Sequence, residues 1–321
     1  MKDLILFGDC KETLKEFDEP ARMCVTSPPY YGLRNYGDEE NQIGQEQSPE
    51  EYIDNLVQIF REVRNVLTDD GTCWINIGDS YYNYRPGRGQ GLAKQTVSNS
   101  KQDLPSVCPR RGNRLEGYKE KDLIGIPWML AFALRADGWY LRQDIIWHKP
   151  NPMPESVRDR CTKSHEYIFL LSKNPRYYYD HEAIKEKAVG ERWGGNTPIN
   201  MNNTKDTTGQ FSGLTRPRKM LYETRNKRSV WKINTKPYRG AHFAVFPPEL
   251  IEPCIKAGSQ EGDIILDPFI GSGTTAMVAK ELNRHYIGCE LHEDYGELIQ
   301  QRVPGEEVSQ KGLNALQDLL Y

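Results

Sequence analysis

Ile264-Ile265-Leu266-Asp267-Pro268-Phe269-Ile270-Gly271-Ser272-Gly273-Thr274-Thr275 reads as a short buried strand, a carboxylate at its tip, a glycine-bearing turn and the start of a helix. A helix from Gly273 to Leu282 and a strand from His285 to Cys289 complete a βαβ unit. Such units build open parallel sheets, in which ligands bind at the carboxyl ends of the strands. Near the other end of the chain, the apolar run Met23-Cys24-Val25 is followed by Thr26-Ser27-Pro28-Pro29-Tyr30. Both phrases stand at strand tips and are candidates for one shared crevice. The early one suits a planar, amino-bearing ring and the late one a small cofactor.

The late phrase has a competing reading. Gly271-Ser272-Gly273-Thr274-Thr275-Ala276 fits the G-x-G-x-x-A dinucleotide fingerprint, with Glu290 ending the next strand. However, Asp267 opposes a pyrophosphate and suits a cationic cofactor. Only about thirty residues follow Glu290, too few to finish a dinucleotide fold. S-adenosyl-L-methionine carries a sulfonium, an ammonium and a ribose. Asp267 can serve its methionine end, the Gly271–Gly273 backbone can approach it closely, and Glu290 can take the ribose hydroxyls. A strand-to-helix turn without a ligand needs the glycines but not acidic residues at both strand tips.

Composition narrows the class. At 321 residues the chain suits one α/β domain with an inserted lobe. No apolar run approaches the roughly 18 residues of a membrane span, and Met1 to Gly8 is too short and too acidic for a secretory signal. Seven cysteines without a Cys-x-x-Cys pair suit reduced thiols in a cytoplasmic protein and argue against a structural zinc. Cys161 and His165 have ligand-like spacing but lack two further ligands. No metal and no membrane partner is expected.

The net charge of −3 conceals two basic stretches. Residues 81–121 hold nine Lys/Arg against three Asp/Glu, and residues 201–240 hold ten against two. Both are rich in Gly, Asn, Ser, Thr and Pro and interleaved with Tyr, Phe and Trp, as in loops that follow a phosphate backbone. One such run would read as solvated surface. Two of the same sign, beside the crevice phrases, favour nucleic acid.

Lys2 to Gly8 and Arg22 to Thr26 read as strands, and Lys11 to Phe17 as a short helix. Ser48-Pro49-Glu50-Glu51 places a cap, a proline at the first helical position and a Glu three residues on. Ile53, Leu56, Val57, Phe60, Val63 and Leu67 then recur at helical spacing, with Gly71 as the stop and Thr72 to Ile77 as the next strand. Residues 125–137 read as a helix, 139–147 and 166–171 as paired strands, and Pro247 to Lys256 as a helix ended by Gly258.

The two phrases resemble the motifs of DNA amino-methyltransferases, which modify cytosine N4 or adenine N6. Ser27-Pro28-Pro29-Tyr30 is similar to the family's catalytic motif, and Asp267 to Thr275 to its cofactor motif in the long D-P-F-x-G-S-G-T-T form. Their order is that of the beta group. Gly8-Asp9-Cys10 resembles the acidic turn beside the cofactor's adenine, Ile146-Trp147-His148-Lys149-Pro150-Asn151-Pro152-Met153-Pro154 the segment beside the target base, and His242 to Pro247 the strand and turn over the methionine end.

The resemblance covers most of the chain. It implies a doubly wound, mostly parallel Rossmann-like class I methyltransferase fold with circularly permuted motif order and basic DNA-recognition insertions. The expected division is a catalytic part of the core at 1–80, a basic insertion at 81–121, core with the target-base segment at 122–175, a target-recognition region at 176–240 and the cofactor part at 241–321. Implied cofactor residues are Asp9, Phe246, Asp267, Pro268, Phe269, Gly271, Ser272, Gly273, Thr274, Thr275 and Glu290. Implied DNA residues are Trp147, His148, Lys149, Arg110, Arg111, Arg216, Arg218 and Lys219, although Trp147 and His148 alternate with apolar neighbours and also suit a core. The partner is double-stranded DNA; a homodimer and a cognate restriction endonuclease are left open.

The chemistry asked of Ser27 to Tyr30 is physical. An exocyclic amine is conjugated with its ring, so its lone pair is a poor nucleophile. The Ser27 hydroxyl and the Pro28 carbonyl can accept its two hydrogens and free that lone pair, while the prolines fix φ and remove donors. Tyr30 offers a ring face to the base, which must be flipped out of the duplex. Ser at the first position leans toward cytosine N4, since the adenine enzymes more often resemble Asp-Pro-Pro-Tyr. Outside this reading stand an inactive DNA-binding relative, a dinucleotide-dependent reductase, and a methyltransferase acting on RNA or a protein amide.

Overall fold

The structure is a computed structural model that describes residues 2–32, 42–82, 115–188, 223–236 and 246–303, with the backbone of 309–312. Most of the two basic stretches therefore lies outside the described residues, including Arg110, Arg111, Arg216, Arg218 and Lys219.

The chain opens with β1 (Leu4–Phe7), α1 (Cys10–Thr13) and β2 (Ala21–Thr26). The helix expected over Lys11 to Phe17 is split, because after α1 the chain tightens into a 3-10 turn at Leu14–Glu16. Next comes α2 (Pro49–Val66), started by the expected cap: the Ser48 hydroxyl accepts from the Glu51 amide at 3.1 Å, and Glu51 accepts from the Gln47 amide at 3.0 Å. Its inner face buries Tyr52, Ile53, Leu56, Ile59, Phe60 and Val63, each worth roughly 1.5–3 kcal/mol in transfer terms. The helix ends earlier than its apolar spacing suggests. Leu67 is already extended (φ −79°, ψ 147°) and opens β3 (Leu67–Ile77), so Gly71 sits inside a strand and stops nothing.

Then follow α3 (Ile126–Ala136), β4 (Tyr140–His148) and β5 (His165–Ser172), with β4 and β5 antiparallel as expected. Three short pieces escaped the periodicity: β6 (Glu186–Lys187), β7 (Thr224–Arg225) and the edge strand β8 (Val230–Lys232). They are too brief to show alternation. The chain continues through α4 (Pro248–Gly258), β9 (Ile264–Asp267), α5 (Thr274–Glu281), β10 (His285–Glu290), α6 (Gly296–Arg302) and β11 (Ser309–Gly312). Gly258 closes α4 from within rather than lying beyond it.

Among the described residues, nine strands form one sheet in the order β11-β1-β10-β9-β2-β3-β5-β4-β8. All its pairings are parallel except those of β5, which runs against β3 and β4. From the middle pair the chain winds outward both ways, β9 to β10 on one side and β2 to β3 on the other. The sheet is doubly wound, and its topological switch point lies between β9 and β2.

The residues divide into two compact units, 1–179 with 229–321, and 180–228. Within the smaller one, β6 and β7 pair antiparallel, and Glu186 accepts from Arg225 at 2.8 Å and Arg228 at 2.7 Å.

Candidate active site

Strands β2 and β9 are hydrogen-bonded neighbours, with Cys24 opposite Leu266. The two strand-tip phrases therefore emerge side by side at the switch point, where open α/β sheets bind ligands. A direct link ties them: the Thr26 hydroxyl donates to Asp267 Oδ1 at 2.5 Å. Asp267 also accepts from the Thr275 hydroxyl at 2.6 Å and the Phe269 amide at 3.0 Å.

Asp267 is buried, and burial pushes its carboxyl up to about 6 against the pull of these three donors. Asp267 thus braces the site by joining β9, β2 and α5, and the expected contact with a cofactor's methionine end has about one of a carboxylate's roughly four acceptor positions left to it. Thr275 serves the same brace.

Beyond Asp267 the loop turns sharply. Gly271 (φ 52°) and Gly273 (φ 80°) both lie in the left-handed region that favours glycine, and Gly273 caps α5. Pro268 and Phe269 precede them, with Phe269 only partly buried against the core. Ser272 and Thr274 are engaged from behind: Arg302 on α6 donates to Ser272 Oγ at 2.5 Å and Thr274 Oγ1 at 3.0 Å. The hydroxyls of Ser272 and Thr274 thus hold the shape of this loop. Sequence reading missed Arg302, whose spacing from the loop carries no signal.

Glu290 ends β10 at the rim. It accepts from the Gly271 amide on Oε2 and the His292 amide on Oε1, each at 3.0 Å. The acceptor capacity left on the carboxylate suits a vicinal diol. Burial raises its carboxyl to about 7, opposed by those amides. Asp9 stands next door, since Phe7 is paired with Glu290 and Gly8 donates to the Glu290 carbonyl at 2.9 Å. Its side chain caps α1 through the Lys11 amide at 2.9 Å. Phe246 is half-buried just before α4, while His242 to Val245 lie outside the described residues.

On the β2 side, Pro28 is buried, whereas Ser27, Pro29 and Tyr30 are half-buried. The Tyr52 hydroxyl from α2 holds the Pro29 carbonyl at 2.8 Å. The Tyr30 ring packs against Gly78, where a Cβ would meet its Cε2 at 2.7 Å, so a side chain there would have to displace the ring. The Tyr30 hydroxyl donates to Glu166 Oε2 at 2.8 Å, with Asn76 Oδ1 farther away at 3.3 Å. Burial first, and then the Glu166 charge, push the phenol well above its usual range.

Trp147 and His148 end β4, on the same edge of the sheet, and Lys149 follows directly. Trp147 is buried and donates its indole N–H to the Ile233 carbonyl at 2.9 Å, so the structure corrects its expected exposure to a base. Lys149 turns inward as well. Its ammonium pairs with Glu166 and lies 4.1 Å from the Trp147 ring centroid. His148 remains half-buried opposite His165, whose imidazole burial holds below its usual range. Cys161 is exposed, and no metal-holding group of His, Cys, Asp and Glu occurs among the described residues.

The model of the DNA methylase family matches residues 21–301, taking in both strand-tip phrases. The chain belongs to this family. Curated relatives of this methylase include the Type II methyltransferase M.SmaI of Serratia marcescens, 47% identical, with 93% of this chain and 90% of the relative aligned. M.Cfr9I of Citrobacter freundii is 45% identical over 94% of this chain and 88% of its own. Among solved structures the methylase resembles a DNA modification methylase of Thermus thermophilus, TTHA0409, in complex with S-adenosyl-L-methionine (23% identity, TM-score 0.57, 97% of each chain). It also resembles the cytosine-N4-specific PvuII DNA methyltransferase (17% identity, TM-score 0.58, 96% of this chain and 94% of that one). Both share its class I methyltransferase fold. The reductase reading falls away, and the methylase is an N6/N4 DNA amino-methyltransferase.

Proposed function

We propose that the methylase moves a methyl group from S-adenosyl-L-methionine to the exocyclic N4 of cytosine in duplex DNA. The observation that carries this is the placement of Ser27 to Tyr30 beside the Asp267–Thr275 loop at the switch point, tied by Thr26 and Asp267. The cofactor fits the residues present. Glu290 retains acceptor capacity at the end of β10, the Gly271–Gly273 backbone offers close approach, and Phe269 gives an apolar wall. S-adenosyl-L-methionine supplies an electrophilic methyl group.

The chain's own residues prepare the amine. Ser27 and the Pro28 carbonyl accept its hydrogens and localise the nitrogen lone pair. Tyr30, packed against Gly78 and held by its hydroxyl, offers a stacking face to a flipped base. Orientation of this kind is worth up to roughly 7–11 kcal/mol of a barrier. A neutral hydroxyl at position 27, in place of a carboxylate, supports cytosine over adenine N6.

The basic stretches, with Arg110, Arg111, Arg216, Arg218 and Lys219, supply DNA contacts in this reading. Residues 176–240 form the target-recognition region, and the Type II names of the relatives support a cognate restriction endonuclease as companion. Tritium-methyl transfer to unmodified bacterial DNA, followed by nucleoside mass spectrometry, tests it. N4-methylcytosine is expected; N6-methyladenine as sole product would overturn the base, and no incorporation would overturn the reaction.

A further inference from the structure

Between β4 and β5 the chain runs through Lys149-Pro150-Asn151-Pro152-Met153-Pro154. Met153 keeps 85% of its exposure, the most of any large apolar side chain among the described residues. A single exposed apolar residue is ordinary on a protein surface. This one differs in how it is held. Pro152 and Pro154 fix their own φ, and Pro154 also keeps Met153 extended.

Both ends of the loop are fastened, and the fastenings belong to the two basic stretches. Asn151 donates from Nδ2 to the Thr235 carbonyl at 3.0 Å, and its Oδ1 accepts from the Thr235 amide at 2.9 Å. Farther along, the Arg160 guanidinium lies 3.9 Å from the Tyr81 ring centroid, and Asp159 pairs with Lys121 at 2.7 Å. Thr235 belongs to the stretch 201–240, while Tyr81 and Lys121 are the two ends of the stretch 81–121. The acids of the loop are already matched, Asp159 by Lys121 and Glu155 by Arg160 at 2.6 Å. Arg158 is exposed and has no acidic partner among the described residues. An apolar tip beside an unmatched cation suits a duplex, whose apolar base stack runs between charged backbones.

The loop also reaches the transfer site. Lys149 pairs with Glu166, which accepts from the Tyr30 hydroxyl at 2.8 Å. Met153 stands four residues beyond Lys149, at most about 14 Å of fully extended chain. Turning a base out toward Tyr30 opens a gap in the stack, and unstacking is costly until something fills that gap. An unbranched thioether is slim and adaptable, and methionine is among the wedges that proteins insert between base steps.

We propose that Met153 is a wedge that enters the duplex at the target step and holds the flipped state open. This rests on the transfer reading above. Pro152, Pro154 and the Asn151–Thr235 pair present the side chain, so little of its freedom is left to lose on insertion.

The test is single-turnover transfer by the full chain as wild type, M153A and M153L. One substrate is a synthetic duplex carrying the context found modified in bacterial DNA, and the other is the same duplex with a mismatch opposite the target base. On the matched duplex M153A should be slower on the order of tenfold, because the gap stays unfilled. M153L keeps the apolar volume and should stay near wild type. A mismatched base is already easier to extrude, so the M153A deficit should largely vanish there. Cofactor affinity and melting temperature should not move, since the side chain is exposed.

A second readout needs no turnover. With S-adenosylhomocysteine present, 2-aminopurine at the target of the matched duplex should brighten less with M153A than with wild type. Full rate in M153A, an equal deficit on both duplexes, or a changed elution volume marking Met153 as a contact between copies of this chain would overturn the proposal. No transfer by wild type to any DNA would overturn the underlying reading, and the proposal with it.

Discussion

The Thr26 hydroxyl donates to the Asp267 carboxylate at 2.5 Å, joining two strand tips that lie 241 residues apart in the chain. With Thr275 on its other oxygen, Asp267 is the joint between the tip of β2, the tip of β9 and the start of α5. A substitution at this joint should disturb both stability and binding.

Thr26→Val removes the donor and leaves a buried carboxylate oxygen short of a partner. It should cost roughly 1–3 kcal/mol of stability. Urea denaturation measures that loss, and calorimetry with S-adenosyl-L-methionine should show weaker binding in the same variant. Asp267→Ala should be worse on both counts. Unchanged affinity in either would remove the brace from cofactor binding.

The pH dependence follows from the raised carboxyls. Asp267 at about 6 and Glu290 at about 7 hold their protons more tightly when folded than when unfolded. Their contribution to stability is fully present below about pH 4 and is lost as pH rises through 6 and 7. Without cofactor, the midpoint of unfolding should fall over that window, on top of any other titration. Binding runs the opposite way, because ribose hydroxyls need the ionised Glu290. Affinity should rise with pH and level off above about 7; Glu290→Gln should flatten the affinity curve and leave the stability curve only its Asp267 part.

Ser27→Ala withdraws one acceptor from the reacting amine. Turnover should fall on the order of 10²–10³-fold with cofactor affinity intact. Rapid-quench kinetics beside equilibrium binding separates the two, and full activity would remove Ser27 from the mechanism.

Tyr30→Ala loses the stacking face as well as the hydroxyl. Retention of a flipped base should weaken by roughly 1–3 kcal/mol, read as fluorescence of a 2-aminopurine placed at the target. Tyr30→Phe should keep that affinity, so equal losses in the two variants would place the effect outside stacking.

Charge reversal at Arg216, Arg218 and Lys219, or at Arg110 and Arg111, should weaken DNA binding. Each lost phosphate contact should lower the slope of log K against log salt by about one. An unchanged slope would leave these residues as solvated surface.

Much of the fold was legible because its signals are local. Ser48 three residues before Glu51, and the apolar spacing from Ile53 to Val63, encode the start and inner face of α2 within a few turns. The end of α2 was not legible, because Leu67 has the same apolar character in a helix as in β3. Short β6, β7 and β8 give too few residues for alternation to register.

The site divides in the same way. Ser27 to Tyr30 and Asp267 to Thr275 declare themselves by residue type and spacing, since a proline-fixed acceptor pair and a glycine turn can be read from adjacent positions. The role of Asp267 could not be read there, because its partner Thr26 comes from another strand. Trp147 alternated like a core residue and like a base platform, and only its hydrogen bond to Ile233 decided between them.

By itself, the sequence determined the βαβ unit, the two motifs, their order and hence the family, because these depend on neighbours along the chain. The tertiary structure alone decided that β2 and β9 lie side by side, that Asp267 faces inward, and that Glu166 reaches Tyr30 from 136 residues away. Strand order and the meeting of distant side chains arise from how helices and strands pack around one core, and no local spacing records that packing.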